Sequence, residues 1–103
     1  MATLNQVGVQ NALSVTTSAV ALTLPTGRSP SHMIVYNNSG NPLRWRSDGT
    51  APTSTNGMLL LANSYLEWMD PNFNYGSIIA RIQFIRDSTA AGNGTLEVSF
   101  FSQ

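Results

Sequence analysis

The hydrophobic residues of this chain come in short alternating runs, broken roughly every 8 to 12 residues by Gly, Pro, Asn or Ser. No window of about 11 residues or more keeps a 3.6-residue period. Val7 to Val15 and Ala19 to Leu24 alternate, with Thr16-Thr17-Ser18 as the turn between them. Pro25-Thr26-Gly27-Arg28-Ser29-Pro30 reads as a loop, because two prolines and a glycine remove donors and permit sharp turns. His32 to Tyr36 is a strand closed by the turn-rich Asn37-Asn38-Ser39-Gly40-Asn41-Pro42, and Leu43 to Arg46 is the next. A long loop runs from Ser47 to Gly57. Met58 to Leu61 and Tyr65 to Met69 form one or two strands around Ala62-Asn63-Ser64, and Asp70 to Gly76 is loop. Ile78 to Ile85 is expected to be the strongest strand, since its isoleucines are β-branched and Gly76 stands just ahead. Gly94 to Phe101 is the last. The pattern predicts an all-β, single-domain β-sandwich or jelly roll of about seven to eight antiparallel strands. Residues 1–7 are expected to form a short, free N-terminal arm and residues 8–103 the domain. Strand order is invisible to periodicity, so the choice between sandwich types stays open.

At 103 residues the chain is one domain's worth, long enough to bury a core without a staple. It has no cysteine, which removes disulfides and thiolate metal sites together. Five basic residues balance five acidic ones, so neither a nucleic-acid footprint nor an anionic-membrane surface is expected. No run approaches the roughly 20 apolar residues of a membrane span, and Met1 to Gln6 has no basic or apolar leader. Charged residues make up only 10%, against about 25% in ordinary soluble domains. All the positive charges are arginines, and 12 Ser, 10 Thr and 10 Asn supply the polar surface instead. Such a surface desolvates easily, and protein interfaces deplete Lys and Glu. It suits a chain packed against other protein.

Catalytic patterns are weak. His32 is the single histidine and is expected at the solvent edge of its strand; with no cysteine it cannot make an ordinary zinc site. No Gly-x-Ser-x-Gly elbow surrounds any serine, a carboxylate pair around Asp70 has no support, and the glycines form no phosphate cradle. No enzyme activity, cofactor or metal is expected. The sequons Asn37-Asn38-Ser39 and Asn93-Gly94-Thr95 mean little without a leader.

Two segments stand out. In Arg44-Trp45-Arg46-Ser47-Asp48-Gly49-Thr50-Ala51-Pro52, Asp48-Gly49 is a turn signal, with Pro52 as part of the same structural turn. Arg44 and Arg46 share one strand face and Trp45 takes the other. Either Trp45 enters the core while an arginine pairs with Asp48, or Arg44 and Arg46 offer a basic spot to a neighbour's carboxylate. Tyr65, Trp68, Phe73 and Tyr75 crowd 11 residues, among Asp70, Pro71, Asn72 and Asn74. They suit an interface anchor, a plug for the open end of the sandwich, or a sugar-stacking platform.

The order of Leu43 to Thr53, Gly57-Met58-Leu59-Leu60, Ile82-Gln83-Phe84-Ile85-Arg86 and Leu96 to Phe101 resembles small virion proteins of tailed bacteriophages. In that group an Arg-x-Arg-x-Asp-Gly-x-x-Pro-Thr turn precedes a glycine and an apolar strand. The resemblance covers roughly residues 8 to 101; the chain departs from it in the aromatic richness of Tyr65 to Tyr75. It implies virion assembly in the host cytoplasm and contact with the major capsid protein or other virion proteins. It also implies a homo-oligomer, with the trimer favoured. The leading expectation is a capsid decoration or cement protein that bridges shell subunits. The alternatives are a tail, fibre or head-tail component, or a carbohydrate-binding β-sandwich acting through Trp68, Phe73 or Tyr75.

Overall fold

A computed structural model describes residues 5–27, 29–69 and 75–102. They form eight strands and one short helix: β1 (Asn5–Val15), β2 (Val20–Ala21), β3 (His32–Asn37), β4 (Leu43–Arg46), β5 (Met58–Leu60), β6 (Tyr65–Trp68), α1 (Gly76–Arg81), β7 (Gln83–Arg86) and β8 (Gly94–Ser102). Every pairing is antiparallel. One sheet has the order β1-β8-β3-β6 and the other β2-β7-β4-β5. The pairs β1·β8, β2·β7, β3·β6 and β4·β5 are therefore nested, like the two arms of one long hairpin whose tip is the β4–β5 connection. Rolling that hairpin sends alternate pairs to opposite sheets. This is the jelly-roll order, and it settles the strand order that periodicity left open.

The core lies between the sheets. Along β8 burial alternates with period two: Gly94, Leu96, Val98, Phe100 and Ser102 point inward, and Glu97 is exposed. Met33 and Val35 of β3 do the same, facing Leu43 of β4 and Phe84 of β7. Gly94 is where the sheets approach most tightly. A Cβ there would sit 2.5 Å from Leu43 Cδ2, so only glycine lets β8 slide under β4 at this point.

Three expectations change. Residues 78–81 belong to α1, not to a strand; the chain turns extended at Ile82 and pairs as β7 from Gln83 to Arg86. Six residues are too few to show a helical period, so the β-branched isoleucines point the wrong way. Burial decides instead: Ile79 and Ile82 are almost fully enclosed, while Ser77 and Ala80 face out. The expected free arm is also not free over residues 5–7. Asn5 pairs opposite Ser102 and Gln6 opposite Phe101, so residues 5–7 are part of β1, and Met1 to Leu4 lie outside the described residues. His32 is not at a solvent edge; it is 1% exposed, with Nδ1 2.8 Å from Ser31 Oγ.

Two substitutions test this packing. Phe84→Ala empties a fully buried site and should lower unfolding stability by about 3–5 kcal/mol. Gly94→Val overfills one and should cost about 1–3 kcal/mol. Chemical denaturation measures both.

Candidate functional site

Polar side chains divide into two internal networks. Arg44 projects from the outer face of β4, where its Nε donates to Asp87 Oδ1 at 2.5 Å and its Nη1 to the Gly57 carbonyl at 2.8 Å. Asp87 also accepts the Thr89 hydroxyl and the Thr89 N–H. The Thr89 hydroxyl and N–H, followed by Arg44, hold the Asp87 carboxyl at about 2, below the usual carboxylate range. Arg44 thus ties the end of the Ser47–Gly57 loop to the segment after β7. Pro52 is buried in that loop, with its Cβ within contact distance of the space over Gly57.

Arg46 grips Asp48 through two nitrogens, Nε at 3.1 Å and a closer Nη2 contact. Asp48 Oδ1 also accepts the Thr50 N–H at 3.1 Å, and Gly49 takes a φ of 87°, which lets the turn close. The Arg46 hydrogen bond, then the Thr50 N–H, lower the Asp48 carboxyl to about 2. Of the two roles open to Arg44 and Arg46, the geometry favours turn fixation for both, because their donors already meet Asp87, Gly57 and Asp48.

The second network centres on Asn37, which is fully buried at the end of β3. Its Nδ2 lies 2.8 Å from the Asn41 carbonyl, 3.2 Å from that of Leu60 and 3.1 Å from that of Leu61. Its Oδ1 accepts the Ser39 hydroxyl at 2.6 Å, and its backbone bonds Ser64 and Asn63. One side chain therefore joins β3, the loop to β4 and the corner between β5 and β6. A glycan on this sequon is incompatible with that burial, and the residue is a structural element that a turn-rich reading of the segment missed. A buried amide at the last residue of a strand, ahead of Ser and Gly, was its only sequence signal.

The aromatic cluster is split by the fold. Trp68 turns inward and meets Trp45 edge to face, with ring centroids 5.4 Å apart and planes at 86°, so it links the two sheets. The Trp45 indole N–H is buried without an acceptor among the described residues, which makes this a packing contact. Tyr75 also packs against the core, at the start of α1. Phe73 lies outside the described residues, as do Asp70, Pro71, Asn72 and Asn74. Tyr65 alone of the described three is well exposed, beside Tyr36 on the outer face of its sheet. Trp68 and Tyr75 fit the plug better than a sugar platform.

What the fold leaves along one flank is a set of exposed apolar side chains, Leu59 on the outer side of one sheet and Tyr65 on that of the other. The Leu61–Ser64 turn carries the chain from β5, the edge of one sheet, to β6, the edge of the other, so both edges lie on the same flank. Met58, Leu59, Leu61, Tyr65 and Met69 are 39–62% exposed there. Glu67 is the only charged residue from Met58 to Met69. Of the contact residues expected from the sequence only Tyr65 lies here; Met58, Leu59, Leu61 and Met69 were not singled out, and the run Met58-Leu59-Leu60-Leu61, too apolar for a half-solvated edge strand, was the available signal.

Away from the flank, a pocket of about 280 Å³ is lined by Thr17, Ser54, Arg86, Asp87 and Ser88. Arg86 there is engaged by Asn93 and the Ala90 carbonyl, and Asp87 by Arg44. Among the described residues no three His, Asp or Glu side chains converge, and no helix is long and apolar enough to cross a membrane. Comparison of the chain with family models, curated proteins and solved structures finds no match.

Two measurements check the networks. Asn37→Ala removes a donor from the Asn41 and Leu60 carbonyls, leaves the Leu61 carbonyl to Ser64 alone, and should lower stability by about 1–3 kcal/mol by denaturant titration; Asn37→Asp, which turns a carboxylate toward three carbonyls, should be worse. The carboxyls of Asp48 and Asp87 ionise more easily folded than unfolded, so their stabilisation is present above about pH 4 and is lost as pH falls toward 2. Thermal melting against pH should show that fall, and Asp87→Asn should reduce its size while lowering the plateau at neutral pH. An unchanged slope in Asp87→Asn would exclude this account.

Proposed function

We propose that this chain is a structural component of a phage virion, a capsid decoration or cement subunit that bridges neighbouring subunits of the shell. The observation that carries the reading is the β5–β6 flank, where five large apolar side chains stand in water with one carboxylate among them. Large apolar side chains concentrated along one edge are a feature of surfaces that meet another protein. The remaining polar groups support it, since the arginines and aspartates described above brace loops against the sandwich and present no convergent reactive set. A jelly roll serves capsid proteins, lectins and cupins alike, so the fold adds compatibility and no more.

The mechanism is mechanical. Burial of apolar and amide surface across a joint between shell subunits adds binding energy without needing charge, and the rigid sandwich transmits load between the joints. Partners are the major capsid protein or other virion proteins, met during assembly in the host cytoplasm.

Quantitative mass spectrometry of purified particles, normalised to the major shell protein, tests the proposal. Hundreds of copies per particle are expected. A few to a few tens would transfer the chain to a tail, fibre or vertex and overturn the cement role, and absence from the particle would overturn both.

A further inference from the structure

The two flanks of the sandwich are finished differently. On the β1–β2 side, β1 is interrupted between Gln6 and Gly8 and again between Gln10 and Leu13, where Ala12 takes a φ of 56°. β2 is only two residues long. The chain after it folds back over β1: Thr23 N–H donates to Gln10 Oε1 at 2.9 Å, Pro25 lies against Gly8, and Leu22 and Leu24 pack on the core. Bulges, a short edge and a covering segment are the devices by which proteins keep sheet edges from pairing. On the β5–β6 side, strands β5 and β6 have no bulge in their register, no proline and no basic residue.

We infer that the β5–β6 flank is a self-association surface, on which β6 pairs antiparallel with β6 of a second copy around a two-fold axis. The charge pattern of the strand selects that occupant. In such a pair, inward residues must stay opposite inward ones, so directly opposed positions have numbers of the same parity. Two registers pair three residues of the strand. Centring on Glu67 sets two carboxylates face to face, which is destabilising. Centring on Leu66 sets Tyr65 opposite Glu67 of the second copy, twice. Each phenol hydroxyl then has a carboxylate to donate to, with Leu66 against its own copy between them. The same axis places Leu61 and the β5 residues Met58 and Leu59 beside the seam, joining two four-stranded sheets into one of eight strands. The apolar strip amounts to roughly 500 Å² per copy, or about 1,000 Å² for the pair, at the lower limit for a specific contact. A contact at that limit is expected to be weak and reversible.

The pairing is measured on the isolated full chain, so its outcome is separate from that of the virion proposal. Sedimentation equilibrium between about 1 and 300 µM should show a monomer–dimer equilibrium. Leu61→Lys combined with Tyr65→Lys, both at exposed positions, should weaken it at least 30-fold with little change in melting temperature. Val9→Lys, exposed on the other flank, should leave it unchanged. Glu67→Gln should weaken it several-fold by removing the charged acceptor of Tyr65. A monomer throughout, a trimer, a dimer insensitive to the double lysine variant or equally sensitive to Val9→Lys, or one tightened by Glu67→Gln would overturn the inference.

Discussion

The buried amide of Asn37 is the constraint on which the shape of this molecule turns. It sits where β3 ends, where the chain leaves for the other sheet and where β5 hands over to β6. The loop carbonyl of Asn41 is only four residues from Asn37 along the chain, but those of Leu60 and Leu61 lie 23 and 24 residues from it. A single Nδ2 group brings them together, and its Oδ1 is engaged by Ser39. An unpaired buried amide or carbonyl is expensive, so the network holds as a unit or not at all. It fixes the corner at Leu61 to Ser64, where Asn63 adopts a φ of 59°, and thereby puts the open edges of both sheets on one side.

The Arg44–Asp87 pair does comparable work on the opposite sheet. Asp87 follows β7 and Arg44 lies on β4, so their contact, with Gly57, anchors the long loop over the outer face of the β4–β7 pair. Because Asp87 is nearly inaccessible and also receives Thr89, the pair is geometrically defined, unlike the half-exposed Arg46–Asp48 pair. Solvent screens the latter, whose worth lies in closing one turn. A chain with only ten charged residues places four of them in these two internal pairs. That leaves few charges to keep its surface wet.

Period-two alternation made the architecture legible, because β8, and β3 from Met33 to Asn37, bury alternate residues more deeply than those between. The Asp48-Gly49 turn and its arginine were legible for the same local reason. Helix α1 was not, since six residues built on isoleucine carry a strand's propensity and are made helical by the enclosure of Ile79. Strand order was also beyond reach, as it depends on pairings such as Leu43 with Arg86 that no local pattern encodes. Aromatic density drew attention to Trp68 and Tyr75, whose rings the fold turns onto its own core, while Tyr65 stays exposed. Sequence shows where large side chains are; only topology shows which strand is left at an edge.

A subunit that works by adding strength to an assembly meets two opposing requirements. It must stay soluble before it is incorporated, and it must then give up solvent over a wide surface at little cost. Lysine-rich edges satisfy the first and defeat the second, since each buried charge has to be desolvated or paired. A skin of Ser, Thr and Asn meets both: the side chains hydrogen-bond to water when free and to neighbouring backbone when docked. Concentrating most of the exposed large apolar groups on one flank, with Val9 the exception, would keep each single contact weak, which limits association in dilute solution. On a repeating surface the second contact of a subunit becomes intramolecular, with an effective concentration in the millimolar range for short spans. A weak joint on such a surface would be almost fully closed, although the same joint would open readily in isolation. The uneven finish of the two flanks is therefore coherent with the low charge of the whole chain: one side is sealed against partners, and the other is left without the charges that would keep partners away.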